Sequence, residues 1–256
     1  MADPVRHFVK TAAAAELPRF EAEAAGLAAL RQAGCIRVPE LHFCGIEAGQ
    51  ARIVLEHLAL HPLDRASGAA LGQALAELHR VTGPRFGWPA DNFVGDTPQE
   101  NAWRDNWARF FAERRLQPQL RLAAGRGMER SLLDQGEALA ERLGAFFLDY
   151  RPLPSLLHGD LWSGNAGALA DGTPVIFDPA AHYGDREADL AMTELFGGFP
   201  EAFYVAYRLA WPLDAGFETR KTLYNLYHVL NHYNLFGASY LGQARRMIGK
   251  LLAELR

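Results

Sequence analysis

The chain has 256 residues, 49% hydrophobic and 22% charged, with a formal net charge of −4; this excludes a disordered chain and offers no basic excess for nucleic acid. Its two cysteines, Cys35 and Cys44, make no disulfide framework and read as reduced thiols of a cytoplasmic protein. No stretch is apolar enough to span a bilayer: the uncharged run 222–244 is interrupted by Asn225, His228, Asn231, His232 and Asn234, and the N-terminus lacks the apolar core of a signal peptide. Among 26 basic residues only Lys10, Lys221 and Lys250 are lysines. One reading is a codon bias, which the high Ala and Leu content also suggests; the other marks Lys10 as a place where a compact ammonium, not a planar guanidinium, is wanted.

Residues 6–10 predict a short strand, and Pro18–Ala33 a helix with Phe20, Ala24, Leu27, Ala28 and Leu30 on one face, stopped by Gly34. Two extended runs, 35–46 and 51–58, flank a hairpin-like turn at Glu47–Gln50. Residues 67–80 predict a helix with Leu71, Leu75 and Leu78 on one face; 81–99 is loop-like, rich in Gly, Pro, Asp and Asn. Helices are expected at 100–116 and 131–149, a short apolar segment at 155–168, a strand at 174–178, and helices at 187–196, 200–210, 217–236 and 238–254. The fold class is α+β: a small mixed lobe over 1–60 precedes a larger, mainly helical lobe over 61–256.

The chemistry concentrates in Leu157-His158-Gly159-Asp160-Leu161-Trp162-Ser163-Gly164-Asn165, followed after a short strand by Phe177-Asp178-Pro179. Phosphoryl transfer needs one carboxylate to orient the acceptor hydroxyl and take its proton, and oxygen ligands to hold Mg²⁺ against the phosphates. A tight loop can aim Asp160 and Asn165 at one point, and a hairpin returning through Asp178 adds a second carboxylate. Other patterns fall short. His228 and His232 are four apart on a helix but lack the glutamate of HExxH, and read as core or surface; no Walker A motif is present, and Ser163 does not match GxSxG.

HGDLWSGN, FDPAAHYGDREADLAMTELFGGFP and DNFVGDTPQENAWRDNWARFFAERRLQPQL resemble the fructosamine kinase (ketosamine-3-kinase) family of the aminoglycoside phosphotransferase-like, protein-kinase-like superfamily. The resemblance implies a bilobal kinase-like fold, ATP and Mg²⁺ as cofactors, and a small-molecule or protein-bound ketosamine as acceptor, with no nucleic acid or membrane partner. The sugar 3-hydroxyl would be phosphorylated, which destabilises the adduct and undoes glycation. Residue by residue, Asp160 matches the catalytic base, Asn165 and Asp178 the magnesium ligands, Lys10 the phosphate-contacting lysine and Glu23, rather than Glu21, its helix partner. Glu56, His57 and Leu58 fall where the inter-lobe hinge bonds adenine through its backbone, and Asp189 where a helix carboxylate braces the catalytic loop. Trp162, beside the base, is a candidate for stacking on the sugar, whereas Trp103, Trp107, Phe110 and Phe111 read as core. Two alternatives are a superfamily kinase with an aminoglycoside- or choline-like acceptor, and a non-catalytic nucleotide-binding relative. The second arises because only nine residues, none of them Gly, precede Lys10, where the family carries a Gly-rich hairpin over the phosphates. The small-lobe sheet is therefore expected to lack two of five strands, to expose an edge and to hold ATP less tightly; a misassigned start codon is the favoured explanation.

Overall fold

A computed structural model describes residues 6–255; residues 1–5 and 256, at the outer limits of the two expected lobes, lie outside them. Strand β1 (His7–Ala13) is followed by helix α1 (Leu17–Ala33) and the hairpin β2 (Leu41–Glu47) and β3 (Gln50–Glu56), in the sheet order β1-β3-β2, all antiparallel. This is the strand, helix, strand, strand order expected, and this sheet has three strands among the described residues. The period-two alternation of β1 turns Lys10 and Ala12 inward while Val9 and Thr11 stay exposed; Phe8, on the side of Lys10, is exposed as well. On β3 it buries Ala51, Ile53 and Leu55.

Helix α1 opens on Pro18 and stops at Gly34, which adopts the left-handed conformation that suits a residue without Cβ. Its buried stripe is Phe20, Leu27 and Leu30, a helical face that passes through position 23. Ala28, expected on that face, is exposed because it lies a quarter turn away. Gly26, also buried, lets the helix come close to Pro179: a Cβ there would lie 3.0 Å from the proline ring. This contact sets α1 against the segment that carries Asp178.

Helix α2 (Arg65–His79) starts at an Asp64 cap that exchanges hydrogen bonds with Ser67, and it carries Leu71, Leu75 and Leu78 into the core as predicted. The segment expected to be loop over 81–99 holds a small hairpin, β4 (Asn92–Val94) and β5 (Thr97–Gln99), whose three-residue strands are too short for periodicity to show. The helix expected from residue 100 begins at Trp107, where Asn106 caps it, and α3 (Trp107–Phe111) runs through a π-turn at Ala112–Leu116 into α4 (Gln117–Gly125). Helix α5 (Arg130–Glu141) is shorter than the expected 131–149 and gives way to a 3₁₀ segment at Leu143–Phe147.

Four short strands follow, paired as β6 (Ser155–Leu157) with β9 (His182–Gly184) and β7 (Ala166–Ala168) with β8 (Pro174–Ile176). Helices α6 (Glu187–Leu195), α7 (Glu201–Ala210), α8 (Phe217–Phe236) and α9 (Leu241–Ala253) complete the chain. One apolar cluster lies among α3, α4, α5, α8 and α9. The other joins the sheet and α1 to α2, α6 and α7, so the small lobe shares its core with the upper part of the large one. Trp107, Phe110 and Phe111 are core residues as expected, whereas Trp103 precedes the helix and stacks against Tyr183. No described helix is long and apolar enough to cross a membrane, and Cys35 and Cys44 are both free.

Candidate active site

The loop 158–165 is tied down from below. Asp189, on α6, is buried and accepts the backbone N–H groups of His158 at 2.7 Å and Gly159 at 2.8 Å, and it meets His79 Nε2 at 3.2 Å. Burial by itself would raise this carboxyl, but His79, His158 and the loop N–H groups hold it below the ordinary carboxylate range. Gly159 has φ +84°, and a Cβ there would collide with the Ala180 carbonyl; no other residue fits the turn. His158 accepts from the Asp160 N–H through Nδ1 and reaches the Phe177 carbonyl through Nε2 at 2.9 Å, which assigns its proton to Nε2. Phe177 N–H in turn donates to the Asn165 carbonyl at 3.0 Å, stitching the loop to the turn that carries Asp178.

Asp178 sits at φ +56° without being glycine. Such backbone costs on the order of 1–3 kcal/mol and persists where the surroundings impose it, commonly at functional sites. Its Oδ1 accepts from Lys10 Nζ at 2.5 Å, and the same ammonium contacts both oxygens of Glu23 at 2.9 and 3.0 Å. Glu23 lies on the stripe of Phe20 and Leu27, so its carboxylate is carried inward and must find a partner; Glu21 lies off that stripe. Burial, aided by Asp178, raises Glu23 to about 7 against the pull of Lys10. Burial disfavours the Lys10 charge, but the two carboxylates outweigh it and its pKa is raised, so the ammonium stays a cation.

Asp160 is raised to about 7, chiefly by burial and further by Asp178 and Asp189, while Asn165 opposes the shift. Asn165 Nδ2 donates to the Asp160 carbonyl at 2.8 Å and to its Oδ2 at 3.2 Å. That leaves the Asn165 side-chain oxygen and the second Asp178 oxygen as hard donors on one cleft. The pair suits Mg²⁺, which takes one or two protein oxygens and completes its shell with water and phosphate. Among the described residues no group of three or more His, Cys, Asp or Glu is placed to hold a metal without such help.

Lys10, Glu23, Asp160, Trp162, Asn165 and Asp178 all line a cleft of about 300 Å³. Glu56, His57 and Leu58 line a neighbouring cavity of about 270 Å³, walled by Phe8, Leu55, Leu60 and Phe177, that meets the first at Asp178. Within it the Glu56 side chain is engaged by Arg37, its N–H by the Glu40 carbonyl, and the His57 N–H by the Arg6 carbonyl. No described residue's backbone accepts from Leu58 N–H. Trp162 is half-buried against Gly164, edge-on to Phe196.

The sequence reading did not anticipate the opposite wall, formed by Arg19, Phe20, Asn92, Phe93 and Asp96. Arg19 pairs with Asp96 across the mouth. Asn92 and Gln99 donate to the carbonyls of Ala181 and Ala180 at 2.8 and 3.3 Å, locking the β4–β5 hairpin to the Asp178 turn. The Gly-, Pro-, Asp- and Asn-rich composition of 81–99 indicated only a loop. The reading of His228 as core is right for its burial, yet its Nδ1 lies 3.8 Å from Asp160.

Comparisons with known proteins give the family and the fold. Residues 2–254 match a family model described as Fructosamine kinase. A Synechocystis protein named "Probable ketoamine kinase" is 47% identical over 248 residues, 96% of this chain and 83% of that one. The chloroplastic protein-ribulosamine 3-kinase of Arabidopsis thaliana is 41% identical over 252 residues, 97% of this chain and 77% of its own. The crystal structure of a Haemophilus somnus protein named "Putative fructosamine-3-kinase" superposes with a TM-score of 0.89 at 32% identity, covering 96% of this chain and 83% of that one. The fold is protein-kinase-like.

Proposed function

Because the chain belongs to the fructosamine kinase family, we propose that Asp160, Asn165, Asp178, Lys10 and Glu23 divide between them the transfer of a phosphoryl group from ATP to the 3-hydroxyl of a ketosamine sugar. The chain is an ATP-dependent kinase of ketosamines. The observation that carries the assignment of roles is the convergence of all five side chains on one cleft.

Asp160 orients the acceptor hydroxyl and takes its proton. A carboxyl near 7 is matched to that task, being ionised in a large fraction of molecules yet basic enough to accept. Lys10 is held by Glu23 and places its ammonium against the α- and β-phosphates. Asn165 and Asp178 would hold Mg²⁺, which when bound neutralises phosphate charge. Adenine occupies the apolar cavity at Glu56–Leu58; with two of its three N–H groups already taken, Leu58 is the backbone donor to the base. Trp162 offers its face to the sugar. Residues 1–60 serve the nucleotide and 61–256 supply the base and acceptor site, in a cytoplasmic protein, with free or protein-bound ketosamine as substrate. Catalysis comes from positioning and charge, with no covalent intermediate.

The test is an acceptor panel with Mg·ATP. Phosphorylation of ribulosamine or fructosamine at the 3-hydroxyl, with neither an aminoglycoside nor choline turned over, is expected. Turnover confined to either of the last two would overturn the assignment of the acceptor.

A further inference from the structure

One polar atom behind the catalytic loop is buried and unpartnered. His228 lies on α8, 5% exposed, and its Nδ1 hydrogen-bonds to no described residue. That nitrogen faces Oδ1 of Asp160 at 3.8 Å, somewhat beyond hydrogen-bond reach. The other oxygen, Oδ2, already accepts from Asn165. Burial, with His232 and Arg115 adding to it, pushes the His228 ring down to about 3, so the imidazole is neutral and carries one proton. On Nδ1 that proton makes the ring a donor toward the carboxylate; on Nε2 it would leave a lone pair facing the carboxylate charge, the costlier arrangement. The histidine itself is held. Its carbonyl accepts from His232 Nδ1 at 2.8 Å, and the adjacent Tyr227 hydroxyl donates to Gln99 at 2.8 Å. Asp160, a short side chain with two torsions, is the partner free to close the gap.

We propose that His228 is a positioning residue for the base: its Nδ1–H donates to Oδ1 of Asp160 when the acceptor hydroxyl arrives, so that the carboxylate is held at both oxygens. The remaining lone pair on Oδ1 then faces the hydroxyl and receives its proton, while His228 neither gains nor loses one. This rests on the reading of Asp160 as the base.

The experiment compares His228→Asn, His228→Gln and His228→Leu with the unaltered chain, using Mg·ATP and ribulosamine. An asparagine amide nitrogen takes the place of Nδ1, whereas glutamine reaches the place of Nε2. His228→Asn is expected to keep most of kcat. His228→Gln and His228→Leu should lose roughly 10- to 100-fold in kcat, the scale of a slightly misaimed reacting group, with KM for ATP unchanged. Equal kcat in all three variants, or a loss in His228→Asn equal to that in His228→Gln, overturns the proposal. Nitrogen-15 NMR of the unaltered imidazole gives a readout that needs no variant to fold: a proton on Nδ1 is expected, and one on Nε2 overturns it. An unaltered chain inactive on every ketosamine would overturn the functional reading instead, and the tautomer would still decide the claim about His228.

Discussion

The floor and the upper wall of the cleft hold their carboxylates by different means. On the floor, Asp189 is fully enclosed and satisfied by two backbone N–H groups and a histidine, so the loop carrying Asp160 is built by main-chain hydrogen bonds. On the upper wall, Glu23 and Asp178 share one ammonium, with Lys10 a quarter and Asp178 two-fifths exposed. The first arrangement over-determines a loop. The second depends on three segments staying in register, an edge strand, a helix and a turn. Removing Asp189 from the floor should therefore cost structure, whereas altering the upper wall should cost nucleotide handling while the fold survives.

The largest effect is expected at the base. Asp160→Asn should lower kcat by at least about 10³-fold and leave the circular dichroism spectrum unchanged; substantial residual turnover would mean that the floor does not carry the base. Next comes its support: Asp189→Ala strands two buried N–H groups and His79, and should cost about 3–5 kcal/mol in urea unfolding. A loss under 1 kcal/mol would erase the contrast between the two walls.

The pH dependence of stability sharpens the comparison further. The Asp160 carboxyl is raised in the folded state to about 7, so the folded chain keeps a proton that the unfolded chain releases near 4. Its contribution is fully present below pH 4 and is lost as pH rises through about 7. Asp160→Asn lacks that loss, so its stability advantage over the unaltered chain should grow between about pH 4 and 7, by on the order of 2–4 kcal/mol, and then level off. A gap that does not change with pH would contradict burial as the cause. The smallest effect belongs to the upper wall. Lys10→Arg keeps the charge but misplaces it, and should reduce kcat/KM for ATP by roughly tenfold with Tm unchanged; equal values in both proteins would make the lysine's shape irrelevant.

Much of this was legible in the sequence because it is local. The spacing of His158, Asp160 and Asn165 lies within one loop, and the family resemblance selects Glu23 over Glu21 by the spacing that follows it, a choice with which the buried stripe through Phe20, Leu27 and Leu30 agrees. The succession of elements in the small lobe and most helix positions follow from periodicity and turn residues in the same way. What was not legible falls into two kinds. The strands Asn92–Val94 and Thr97–Gln99 are too short to carry a period, and what holds them to the Asp178 turn is a set of buried amides whose partners lie some 80–90 residues away in the chain. Helix α3 begins later than its apolar pattern because Asn106 caps it, which a count of apolar positions does not weigh.

By itself, then, the sequence singled out the residues proposed to carry the chemistry and the local element on which each one stands, since helical and strand periodicities and turn residues are set by the nearest few positions. Tertiary structure decided who meets whom. Lys10 and Asp178 are 168 positions apart and touch, and beside them Gly26 admits α1 to the Pro179 turn. The approach of His228 to Asp160 likewise depends on how α8 packs behind the loop. Such encounters are set by side-chain volumes and buried polar partners across the core, and no spacing along the chain encodes them.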